Sequence, residues 1–122
     1  MVTVRKKRGV SSLADAHPKI QAAVDAAAQV TPLDELWINS LNDSHHREGS
    51  FHFSNRAVDF QTKLMESGAE VAFASALAEK LGCTEERRKD RDWWEPGGNG
   101  YRVLLESLDV EGHEHLHVEW RG

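Results

Sequence analysis

Apolar residues recur at helical spacing in two stretches of the chain and alternate with polar ones in several shorter stretches. Ile20, Ala23, Val24 and Ala27 fall on one stripe, which predicts a helix with Pro18 in its first turn, capped by Ser11 or Asp15 and ending before Thr31-Pro32. Phe73, Leu77 and Leu81 form a second stripe, predicting a helix over Glu66–Leu81 with Gly82 at its C-terminal cap. Short apolar runs predict strands at Leu36–Ile38, Ala57–Phe60 and Tyr101–Leu105, the last paired in a hairpin with His113–Trp120. Between them, Asn39 to Gly49 reads as a polar loop, and Thr84 to Gly100, "TEERRKDRDWWEPGGNG", as a long loop without periodicity. The order of elements predicts an α+β domain in which two main helices pack on a small, largely antiparallel sheet.

The 122 residues suit one domain, and no internal repeat is visible. Residues 1–10, with the run Arg5-Lys6-Lys7-Arg8, read as a flexible basic tail, and residues 11–122 as the domain. No apolar h-region follows the basic run, so it does not read as a signal peptide, and no apolar stretch approaches the length of a membrane span. A soluble chain is therefore expected. The net charge of −5 argues against nucleic acid as a partner, because phosphate binding favours a basic face. The single cysteine, Cys83, excludes an internal disulfide.

Seven histidines change the picture. In "EGHEHLHVEW", Glu111 to Trp120, strand alternation puts His113, His115 and His117 on one face, with Glu114, Leu116 and Val118 on the other. In "SFHFSNRAVD", Ser50 to Asp59, a histidine and an aspartate stand seven positions apart. Imidazole and carboxylate suit zinc, which in catalytic sites takes three protein ligands and keeps a position open. Spacing alone leaves a solvated histidine face as an equal reading. His17 and His45, outside the cluster, read as surface or hydrogen-bonded residues.

"HHREGSFHFSNRAVDF", His45 to Phe60, resembles the stretch around the zinc site of hedgehog signalling domains and zinc D-Ala-D-Ala carboxypeptidases, with its pattern S-x-H-x-x-G-x-A-x-D. Ser50, His52, Ala57 and Asp59 match that pattern. "EHLHVEW", Glu114 to Trp120, looks like the H-x-H that closes the site in hedgehog domains and small murein peptidases of this group. The resemblance implies the hedgehog/D-Ala-D-Ala peptidase fold, with His52, Asp59 and His117 as zinc ligands. Asn55 stands where the family has Gly, a departure compatible with the turn because Asn tolerates positive φ.

The resemblance also implies a glutamate base to take a proton from water and return it to the leaving amine. Glu114 has the E-x-x-H spacing, although strand alternation turns it away from His117 unless the strand starts after it or bulges there. Glu106, at the end of the preceding strand, and Glu111 are the alternatives. His115 would line the site and steady an oxyanion or make a supporting hydrogen bond. Ser50 belongs to the matched motif at the substrate side. Arg47 and Arg56 are the guanidinium groups nearest for a terminal carboxylate, Arg47 being the one whose loop position matches. Trp93 and Trp94 would rim the cleft or cap the core.

The expected activity is zinc-dependent hydrolysis of bacterial cell-wall peptide, of D-Ala-D-Ala or L-Ala-D-Glu type. The small size, with no wall-binding module or signal peptide, suits a phage-encoded lysin or virion protein acting on the host wall. The alternative is a non-catalytic, zinc-stabilised binding module of the same fold. A purely structural zinc would add His115 as a fourth, closing ligand.

Overall fold

The computed structural model describes residues 2–10, 13–41, 56–66, 68–89, 93–106 and 115–121. They form a small α+β domain: strand β1 (Thr3–Lys6), a 3-10 turn at Leu13–Asp15, helix α1 (Pro18–Val30), strands β2 (Glu35–Ser40) and β3 (Ala57–Gln61), helix α2 (Ala69–Lys80), and strands β4 (Glu85–Lys89), β5 (Trp93–Gly98), β6 (Tyr101–Glu106) and β7 (His115–Trp120).

α1 starts at Pro18, and its cap lies six residues beyond Ser11 and two beyond Asp15. His17 is the N-cap: its Nδ1 accepts the Lys19 N–H at 3.1 Å, and Pro18 sits at the first helical position, where its missing N–H costs nothing. Ile20, Ala23, Val24 and Ala27 are buried as the stripe predicts, and the Thr31 N–H closes the helix on the Ala27 carbonyl at 2.9 Å. α2 begins at Ala69 rather than Glu66, because Gly68 is left-handed with φ +88° and cannot continue a helical turn from Glu66. It ends as the sequence predicts. Gly82, with φ +81°, lets the chain turn back so that the Cys83 N–H reaches the Ala78 carbonyl at 2.9 Å.

The seven strands lie in the order β1-β2-β3-β7-β6-β5-β4. β1 runs parallel to β2, and every other neighbouring pair is antiparallel. Thr3–Lys6, read from its charge as part of a flexible tail, is thus an edge strand in register with Glu35–Ile38, although its side chains remain exposed. Its order comes from the backbone ladder, which a pattern of side chains does not reveal. The aperiodic stretch 84–100 likewise holds a hairpin rather than a long loop, with β4 paired to β5 and β5 to β6. Charged residues such as "EERRK" supply no apolar alternation, and neighbouring strands fix the conformation instead.

Both helices pack on one face of the sheet. Leu36 and Ile38 of β2, Val58 and Phe60 of β3, Leu116 and Val118 of β7, and Val103 and Leu105 of β6 meet Ile20, Val24, Phe73 and Leu77 in one core. Each such side chain contributes roughly 1.5–3 kcal/mol by leaving water. Phe60 and Phe73 pack edge to face at 6.3 Å. Tyr101 reaches through this layer, and its hydroxyl donates to the Lys19 carbonyl at 2.7 Å. Alternation then sends Asp59 of β3 and His115, His117 and Glu119 of β7 to the face away from the helices.

Candidate functional site

β3 and β7 are adjacent antiparallel strands, and their register sets Asp59 directly opposite His117. Gln61 stands opposite His115, and Ala57 opposite Glu119. On the other flank of β7, the register sets Glu106 opposite His115, Leu104 opposite His117 and Arg102 opposite Glu119. Three rows of residues therefore cross the helix-free face, with His117 in the middle row.

The side chains link along and across these rows. Asp59 Oδ1 lies 2.7 Å from His117 Nδ1, and Glu119 Oε1 lies 2.9 Å from His117 Nε2. Glu119 is only 3% exposed and is itself clamped: Arg102 Nη1 donates to its Oε1 at 3.2 Å, and Arg121 Nε donates to its Oε2 at 2.6 Å. With a carboxylate on each nitrogen, the ring is held as an imidazolium that donates both protons. Burial by itself would push the His117 pKa down, but the hydrogen bonds to Asp59 and Glu119 and the charges of both overcome it and raise it to about 9. Burial would raise the Glu119 carboxyl, but its hydrogen bonds to His117 and Arg121 and their charges lower it to about 2.

Of the residues singled out from the sequence, Asp59 and His117 are brought into direct contact. His115 lies two residues away on the same face, and Glu106 is its backbone neighbour in the ladder. His52, Ser50, Arg47, Glu111 and Glu114 lie outside the described residues. Arg56 goes elsewhere: its guanidinium sits over the Trp120 ring, 5.2 Å from the centroid, on the helix side of the sheet. His17 stacks on the same ring at 4.5 Å, so it caps a helix and supports Trp120. Trp93 and Trp94 belong to β5, where they pair in register with Glu106 and Leu105.

Sequence reading missed Glu119, Arg102 and Arg121. Glu119 follows His115 and His117 at a spacing of two, so the alternation that aligned the histidines also placed this acid beside them. No local signal marked Arg102, which enters only through the β6–β7 register.

Asp59 and His117 suit zinc in kind, offering one carboxylate oxygen and one imidazole nitrogen, while Glu119 fits the role of the carboxylate that holds the far nitrogen of a ligating histidine. Two ligands of a tetrahedral zinc stand about 3.3 Å apart, so the 2.7 Å pair must open by roughly half an ångström and give up the Nδ1 proton. Zinc also calls for a third ligand, and among the described residues no group of three His, Cys, Asp or Glu side chains is placed to hold a metal. His52 is the sequence candidate for that third position.

Comparison with known proteins found no family model, no curated protein and no solved structure that matches the chain.

Proposed function

We propose that this protein is a zinc-dependent peptidase of the hedgehog/D-Ala-D-Ala peptidase fold that cleaves bacterial cell-wall peptides of D-Ala-D-Ala or L-Ala-D-Glu type. The observation that carries the reading is the contact between Asp59 and His117, two residues from separate motifs that resemble that family's ligand motifs. In this reading Asp59 and His117 hold zinc together with His52. Zinc held there would supply Lewis-acid chemistry, polarising the scissile carbonyl and making water more acidic.

The remaining chemistry belongs to the chain. Glu119 fixes the His117 ring. A glutamate takes the proton of the attacking water and delivers it to the leaving amine; Glu114 has the family spacing, while Glu106 has a backbone position beside His115, and Glu111 is the third candidate. His115 steadies the oxyanion that develops on the carbonyl, and Arg47 and Ser50 receive the substrate's carboxylate end. The source in this reading is a phage-encoded lysin or virion protein acting on the host wall.

The second reading is a non-catalytic binding module of the same fold. The saturation of His117 by two carboxylates favours it, since such a ring can serve as a fixed structural charge.

The test is mass spectrometry of purified wall peptides incubated with the protein, with and without a chelator, alongside Glu114→Gln and Glu106→Gln. A new, chelator-sensitive product is expected, and the inactive variant identifies the base. No product across several wall chemistries, from protein holding stoichiometric zinc, would select the binding module.

A further inference from the structure

The Arg102–Glu119–Arg121 clamp holds a 3% exposed carboxylate between two guanidinium groups on the helix-free face of β7, the central strand of the sheet. Burying that carboxylate is costly, and the two arginines and the His117 ring together offset the cost. What the arrangement achieves is directional. Oε2 is occupied by Arg121, and Oε1 is shared between Arg102 and His117 Nε2, so the carboxylate presents one acceptor to the ring at a fixed place. The ring's other nitrogen is thereby directed at Asp59, 2.7 Å away.

We infer that Glu119 is a positioning residue for metal binding, held by Arg102 and Arg121 so that the His117 ring presents Nδ1 beside the Asp59 carboxylate and keeps its proton on Nε2. This rests on the zinc reading above. It adds that two arginines outside both motifs set the affinity through a carboxylate that never touches the metal. The β6–β7 register makes the device possible, since Arg102 stands directly opposite Glu119. Arg121 completes it from the residue just past β7, where its N–H also donates to the Gly100 carbonyl at 2.7 Å and anchors that end of the strand.

Two measurements on full-length protein test the inference. The first follows the His117 Nε2 proton by nitrogen-15 NMR in chelator-treated protein. Wild type should show a slowly exchanging resonance, and Glu119→Gln and Arg102→Met should show faster exchange. The second is competition for zinc against a chromophoric chelator, with folding of each variant checked by thermal unfolding. Glu119→Gln should lose about 10–100-fold in zinc affinity, and Arg102→Met a smaller factor in the same direction. A merely structural carboxylate would lower the unfolding temperature and leave the zinc affinity of the folded protein unchanged; that result overturns the inference while the zinc reading stands. Wild-type protein that takes up no zinc would remove the zinc reading and this inference together.

Discussion

Asp59 and His117 are 58 residues apart in the chain and 2.7 Å apart in space, joined across the β3–β7 ladder by a carboxylate–imidazole contact. The contact exists because both residues occupy the same row on the helix-free face.

His117→Ala removes the imidazolium from between Asp59 and Glu119 and leaves two carboxylates without their shared partner. In chelator-treated protein this is expected to cost about 3–5 kcal/mol, the range for breaking one side of a largely buried ion pair. Urea unfolding at neutral pH measures it. His52→Ala and His117→Ala are further expected to abolish stoichiometric zinc, and a variant that retained it would remove that residue from the ligand set.

The same network predicts how metal-free stability follows pH. The His117 pKa is raised from 6.5 to about 9 on folding, so its stabilisation is complete below pH 6.5 and is lost as pH rises through 9. Glu119 is lowered from 4.5 to about 2, so its stabilisation is complete above pH 4.5 and is lost as pH falls through 2. The expected profile is flat from these groups between pH 4.5 and 6.5, with an alkaline decline on the order of 3 kcal/mol. His117→Gln should flatten the alkaline limb in a denaturation series over pH 6–10.

Phe60 and Phe73 tie β3 to α2 through their edge-to-face contact, and both are fully buried. Phe60→Ala is expected to cost about 3–5 kcal/mol by opening a cavity under the strand that carries Asp59. Phe60→Leu should cost clearly less, since it refills most of that volume. Chemical denaturation of the two variants separates these outcomes.

Gly98 ends β5 with φ +135°, and a Cβ there would meet the Thr84 N at 3.1 Å and the Cys83 Cα at 3.3 Å. Backbone atoms cannot rotate away as a side chain can. Gly98→Ala is therefore expected to destabilise by about 1–3 kcal/mol. Faster amide exchange in β4 and β5 than in β3 and β7 would show that the damage stays at that edge of the sheet.

The sequence by itself determined the elements that have one wet and one dry face. The α1 stripe of Ile20, Ala23, Val24 and Ala27, the β6–β7 hairpin and the shared face of His115 and His117 were legible because burial imposes a period on side chains. Tertiary structure alone decided the rest. β1 has four exposed residues and carries no such period; it is a strand because β2 offers it a parallel ladder. β5 is a strand because β6 offers it a ladder, and β4 because β5 does, partners that their charged and glycine-rich sequence does not announce. Arg102 reaches Glu119 for a related reason: an antiparallel register is a relation between two segments, and neither segment contains it alone.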